Sequence, residues 1–344
     1  MKRNLKWSIL IVLCMIIFVA CSPDSNNLKQ EVTSTQTTST IEPSSSNEAT
    51  TPSDQTQTDK KEDKPAGSKG YLWKVTGGKN AAYLVGTIHL AKKEMYPLDP
   101  DLEQALEEAN YIALELDLTK VNQTEVSQLL ADKAMYKDGT TLKDHVPAED
   151  YEKFTAAMKK SFGMLGKMYE KFEPWYSAMT LESIGATKYS KVDGIDKYLA
   201  KQGHKAGKKV LELESMESQL AIFDGFSDEL QLRYFHMTVE ATGQAIDGTE
   251  QLLDMWTKGD ESELMQYYDE YMTSSKAELD ELFDEFNTAI LDHRNKGMVE
   301  KIDGFLNNGN KGTYLIAVGS LHMPGEKGLV NQLRELGYTV EYID

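Results

Sequence analysis

Cysteine is nearly absent from this chain: there are two in 344 residues, Cys14 and Cys21. That scarcity excludes a disulfide-stapled scaffold and any multi-cysteine zinc or iron–sulfur site. Positive charge is also in short supply, with 37 Lys+Arg against 55 Asp+Glu and a formal charge of -18. A nucleic-acid partner is therefore not expected, because such a surface repels phosphates. Two hydrolase signatures are missing as well, since neither His-Glu-x-x-His nor Gly-x-Ser-x-Gly occurs. The run Gly203-His204-Lys205-Ala206-Gly207-Lys208-Lys209 is one residue short of a phosphate loop and lacks its Ser/Thr. What remains is a chain with 40% hydrophobic residues, long enough to bury the core of one large domain or two.

The first 21 residues carry Lys2, Arg3 and Lys6 ahead of an apolar run from Trp7 to Cys21. The run is shorter than the ~20 residues of a comfortable membrane span and has the form of a secretory signal. Phe18-Val19-Ala20-Cys21 resembles a bacterial lipobox, so Cys21 is the expected lipidation site. The expected location is the cell membrane, with the protein lipid-anchored on the extracytoplasmic side. Loss of residues 1–21 would take the charge from -18 to -21. Residues 22–69 contain no Phe, Tyr or Trp, and Ser and Thr fill 17 of residues 22–58. Such a segment has too little apolar surface to offset chain entropy and reads as a disordered tether. The folded part, residues 70–344, then contains no cysteine, which removes thiol catalysis.

That folded part has similar ends. Ala81-Ala82-Tyr83-Leu84-Val85-Gly86-Thr87-Ile88-His89 reads as a strand followed by Gly-x-x-His, then a helix through Asp101–Ala109, then the apolar run Tyr111–Asp117. Thr313-Tyr314-Leu315-Ile316-Ala317-Val318-Gly319-Ser320-Leu321-His322 repeats the pattern, with a helix at Leu329–Leu336, a stop at Gly337 and a last strand. Residues 118–310 between them are mostly helical by period, as in Tyr151–Phe162, Ile195–Lys201, Leu230–Thr242, Glu250–Lys258 and Leu279–His293. The expected fold class is α+β: two βαβ-like halves, an internal repeat, forming one mixed sheet around a large helical insertion. Met158, Met164, Met168, Met179, Met216 and Met237 in the insertion read as core filler, the alternative being an adaptable lining for apolar peptide side chains.

A histidine just past a strand's carboxyl end sits where ligands bind in open α/β sheets. Two of them in matching positions, His89 and His322, are expected to meet across the sheet. In Ile112-Ala113-Leu114-Glu115-Leu116-Asp117 the strand alternation puts Glu115 and Asp117 on one face. A carboxylate buried there needs a partner, a proton or a metal. Two imidazoles and a carboxylate suit a divalent metal with open water positions, or general acid–base work without one. The other histidines (His145, His204, His236, His293) have no evident partner at ligand spacing.

Taken with Gly194-Ile195-Asp196, Leu211-Glu212-Leu213-Glu214-Ser215, Gln219, Trp256-Thr257-Lys258-Gly259-Asp260 and Arg294-Asn295-Lys296-Gly297-Met298, these motifs make most of residues 70–344 resemble the TraB/GumN family. That family is related to the pheromone-shutdown protein PrgY and to the animal Tiki proteins. The resemblance implies a metal-dependent peptidase centre with His89, His322 and Glu115 as metal ligands. It adds Arg294 and Glu214 to Glu115 as catalytic candidates, Arg294 as a fork of donors for an oxyanion or a substrate carboxylate. The divalent ion expected is Mn, Co or Zn. The expected function is a metal-dependent hydrolase acting on extracytoplasmic peptides or proteins; the alternative is a lipoprotein that captures peptides without cleaving them.

Overall fold

The computed structural model of the chain describes residues 67–344 apart from 243 and 244. The signal-like run, Cys21 and the tether up to residue 66 lie outside the described residues. One mixed sheet of six strands organises the rest, in the order β4-β3-β5-β2-β1-β6. β1 (Tyr71–Thr76) and β2 (Ala81–Thr87) pair antiparallel, and β6 (Thr339–Tyr342) adds antiparallel to β1. β5 (Thr313–Gly319) lies parallel between β2 and β3 (Tyr111–Leu114), and β4 (Lys209–Glu212) lies parallel on β3. Tyr314 to Val318 of β5 are all buried, as an uninterrupted apolar run in a central parallel strand requires.

β2 reaches β3 through helix α1 (Pro100–Glu108), started by Pro100 and by the Asp99 carboxylate accepting the Asp101 N–H. The insertion then runs through α2 (Gln123–Lys133), α3 (Leu142–His145), α4 (Ala148–Phe162), α5 (Pro174–Ala186) and α6 (Ile195–Lys205) to β4. Beyond β4 come α7 (Met216–Asp224), α8 (Asp228–Ala241), α9 (Ala245–Lys258), α10 (Glu261–Leu279), α11 (Phe283–Asn287) and α12 (His293–Asn307). α13 (Leu329–Glu335) joins β5 to β6. α5 is buried on nearly every side, so it is the axis of the insertion rather than an amphipathic surface helix. Its Trp175 packs on Phe223, which in turn meets Phe226 and Tyr234.

Three expectations change. The two ends share a local order of strand, Gly-x-x-His, helix and strand, but they are not equivalent halves. β3 lies two positions from β2, across β5, whereas β6 lies three positions from β5 on the other side, across β2 and β1. The helix expected over 279–293 is broken: Asp280 has φ 51, a left-handed conformation that ends α10, and a π-helical turn over Thr288–Asp292 precedes α12. Met158, Met179 and Met237 fill the core, but Met164 and Met168 are 91% and 55% exposed.

Candidate functional site

Parallel pairing of β2 with β5 sets Gly86 opposite Val318 and Thr87 opposite Gly319. The two Gly-x-x-His motifs therefore leave adjacent strands one residue out of step, at the same sheet edge. Ser320 Oγ donates to Thr87 O at 2.8 Å and ties the two exits together. Trp256 Nε1 donates to Gly86 O at 2.7 Å from α9. His89 and His322 are both buried, at 8% and 1% exposure.

Each imidazole is fixed through Nδ1, and by a different group. His89 Nδ1 lies 2.7 Å from Asp196 Oδ2, and the Thr87 hydroxyl donates to the other oxygen of Asp196. Asp196 is held by α6, whose first N–H, from Ile195, donates to Ile88 O at 3.0 Å. This approach demands glycine before it: a Cβ on Gly194 would stand 2.0 Å from His89 O. His322 Nδ1 lies 2.5 Å from Asn295 Oδ1 on α12, and Asn295 Nδ2 donates to Lys327 O at 2.9 Å. With its amide oriented by Lys327, Asn295 accepts from the histidine, so Nδ1 carries the hydrogen and Nε2 the lone pair. Both Nε2 atoms are without a hydrogen-bond partner among the described residues.

These environments set opposite protonation tendencies. Burial opposes a charge on His89, yet the Asp196 carboxylate and its hydrogen bond, with help from Glu115 and against Arg294, raise its pKa above the ordinary 6.5. Burial, then the Arg294 guanidinium, push His322 well below 6.5, with His89 adding to the effect and Glu214 opposing it. Asp196 is lowered: the cost of burial is outweighed by the His89 charge and hydrogen bond and by the Thr87 hydroxyl.

Glu115 is not inside a strand. β3 ends at Leu114, so Glu115 is the first residue past its carboxyl end, and it is buried at 4% exposure. The expected shared face with Asp117 is lost there: Asp117 turns to His204 Nε2 at 2.7 Å and the Thr119 hydroxyl at 2.6 Å. The β3–β4 pairing continues as Leu213 N–H to Leu114 O and Glu214 N–H to Glu115 O, which sets Glu115 and Glu214 side by side. Arg294, two residues after the π turn, closes on both. Its Nη2 donates to Glu115 Oε2 at 2.5 Å and to Glu214 Oε2 at 2.7 Å, and its Nε donates to Glu214 Oε1 at 2.8 Å. Nη1 donates to Ile290 O at 3.3 Å. Glu115 Oε1 accepts the Gly319 N–H at 2.6 Å, at the root of the second histidine motif. Arg294 is thus an ion-pair centre with most of its donors committed, and Glu214 is its second carboxylate, supported by Gln219 Nε2 at 3.0 Å.

Glu115, Glu214 and Arg294 are joined directly, and His89 and His322 leave the neighbouring strand ends beside them, but among the described residues His89, His322 and Glu115 do not bring three ligand atoms within 4.8 Å of one another. Asp196 and Asn295 complete the site as the histidines' partners, and the sequence marks them only as neighbours of glycine and arginine motifs. A cleft of ≈ 700 Å³ runs beside Arg294 and Glu214 between α7 and α12, with Ser218, Ile222, Gly297 and Lys301 in its walls. Away from this edge, Asp150, His236 and Glu240 bring three ligand atoms within 4.8 Å of one another, a grouping the sequence reading overlooked. His236 Nδ1 lies 3.0 Å from Asp150, and Lys153 Nζ contacts Glu240 at 2.5 Å and Glu149 at 2.8 Å, so an ammonium already balances that acidic pair.

The sequence pattern of the TraB/PrgY/gumN family matches residues 71–342. A protein from Nematostella vectensis described as "Metalloprotease TIKI homolog" is 21% identical over 307 residues, covering 76% of this chain and 64% of its own length. The chain thus spans under two thirds of that relative. "Uncharacterized protein YbaP" of Shigella flexneri and of Escherichia coli are each 24% identical over 264 residues, covering 75% of this chain and 89% of theirs. No solved structure matches.

Proposed function

We propose, since the chain belongs to the TraB/PrgY/gumN family, that it is a metal-dependent hydrolase of peptides with its centre where β2, β3 and β5 end. The observation that carries this reading is the pair of buried histidines whose Nδ1 atoms are fixed while neither Nε2 atom has a hydrogen-bond partner among the described residues. An imidazole oriented through its other nitrogen by a carboxylate or amide is the common supporting arrangement at metal sites. His322, pushed towards neutrality, suits a ligand; His89 exchanges a proton for the ion, which makes affinity pH-dependent. The relative described as a metalloprotease supports the same reading.

In this proposal His89 and His322 hold a divalent ion, of which Mn, Co and Zn are the candidates. Bound there, such an ion supplies Lewis acidity to a carbonyl and a more acidic water. Glu115 keeps lone pairs beyond those used by Arg294 and Gly319, and offers them to the ion or to the proton of a water. Arg294 holds Glu115 and Glu214 in place and balances their charge. The cleft beside Arg294 and Glu214 would receive the extended peptide. The same cleft also supports the second reading, capture of a peptide without cleavage.

Metal content of the purified chain, compared with the His89→Ala/His322→Ala double variant, tests this. About one divalent ion in the wild type and none in the variant is expected, with peptide cleavage lost in parallel. If neither protein retains Mn, Co or Zn after addition and desalting, metal dependence is overturned. Peptide binding unchanged by the double variant would then favour capture. Attachment through Cys21, outside the cytoplasm, remains part of the proposal and is tested by mass spectrometry of the mature N-terminus.

A further inference from the structure

Six large hydrophobic side chains are exposed among the described residues, and four of them fall within seven positions: Phe162, Met164, Leu165 and Met168. Met164 and Leu165 are 91% and 71% exposed. They occupy the end of α4 and the 3-10 segment Gly163–Lys171. The segment is a built turn. Gly163 has φ 59 where α4 ends, and Gly166 packs so closely on α4 that a Cβ would stand 2.9 Å from the Met158 carbonyl. The Phe162 ring packs at a tilt on Tyr169, with centroids 5.2 Å apart, and a bridge from Phe172 to Met135 holds the exit. The apolar side chains are therefore held outward by structure.

The charge around them runs against the rest of the chain. Residues 159–171 contain Lys159, Lys160, Lys167 and Lys171 against one carboxylate, Glu170, in a chain of net charge -18. All four lysines are exposed, and none is in an ion pair among the described residues. A groove of ≈ 610 Å³ between α4 and the turn is lined by Ala156, Met164 and Gly166, with Lys159 and Lys167 set against Glu152 and Glu170, so the excess of lysine lies in the turn as a whole rather than in the groove.

We propose that this turn is a docking surface for an anionic lipid bilayer. Met164, Leu165, Met168 and Phe162 enter the acyl boundary, and the lysines stay at the level of the phosphates. Charge complementarity selects this occupant. An apolar tip ringed by unpaired ammonium groups matches a layer with phosphate outside and hydrocarbon beneath, and each lysine adds about a fivefold preference for an anionic over a neutral surface. No described helix is long and apolar enough to cross a membrane, so the contact is peripheral. It is independent of the histidine site and of Cys21.

The test uses the full chain with Cys14→Ser and Cys21→Ser, and Leu165→Cys carrying an environment-sensitive fluorophore. Vesicles of phosphatidylcholine with phosphatidylglycerol should shift its emission to the blue, and pure phosphatidylcholine should do so far less. Lys159→Glu/Lys160→Glu/Lys167→Glu should lower partitioning by at least about 100-fold with the circular dichroism spectrum unchanged. An emission that ignores anionic vesicles overturns the proposal. So does a blue emission already present without lipid, which would mean that a second copy covers the turn, and so does full retention by the triple lysine variant.

Discussion

β2 and β5 end in the same four-residue pattern on neighbouring strands, yet the pKa values of their histidines are shifted in opposite directions. Behind His89 stands a carboxylate, Asp196; behind His322 stands a neutral amide, Asn295. Both rings are buried, so desolvation is shared, and the largest difference is the Asp196 carboxylate at His89, where His322 meets only a neutral amide. Arg294 opposes charge on both rings, but only at His89 is it outvoted. A repeated motif therefore fixes where two side chains go, and the helices of the insertion decide what each can do there.

The comparison is broken most severely at Arg294. Arg294→Met leaves Glu115 and Glu214 as buried carboxylates without their cation and should cost about 3–5 kcal/mol. A urea midpoint equal to that of the wild type would show that the trio is not coupled as its distances imply. Asp196→Asn sharpens the comparison by giving His89 the same kind of partner as His322. The His89 pKa should fall, and affinity for the ion should weaken about 10–100-fold, as read by competition with a chelator. An unchanged affinity would take His89 out of the ligand set.

The smallest effect is on stability against pH in the metal-free chain. His322 is depressed below 6.5, so the unfolded state binds its proton more readily, and stability is lost as the pH falls through about 6.5. His89 is raised, so its contribution is present below 6.5 and is lost as the pH rises through its folded value. His322→Asn should therefore flatten the loss on acidification, whereas His89→Asn should steepen it, in denaturant midpoints from pH 8 to 5. Equal slopes for both variants would mean that the two rings share one environment.

Much of this edge was legible because strands and their ends are local. The two Gly-x-x-His exits, the helices after them and the acidic residue after the Tyr111 run could all be placed from periodicity and turn residues. The partners of Nδ1 were not legible, because Asp196 and Asn295 arrive from helices whose packing depends on the whole insertion. The place of Glu115 was misjudged by one residue: Leu116 and Asp117 continue an apolar–polar alternation after the backbone has left β3. The internal repeat holds only as a local order of elements, for a similar reason. Local order does not reveal that β1 lies between β2 and β6. His236 went unnoticed because its i+4 neighbour Glu240 reads as an ordinary solvated helix face, and Asp150 is far away in sequence.

Pairing between Ala81 and Thr313 also dictates when the reacting edge can exist. On a ribosome adding roughly 5–20 residues per second, β2 waits more than ten seconds for the strand that must lie beside it. Until then His89 has no second imidazole, Glu115 lacks the Gly319 N–H, and the middle of the sheet is open. In a chain made in this order the edge that carries both histidines is completed only by the penultimate strand, β5, and the turn after it.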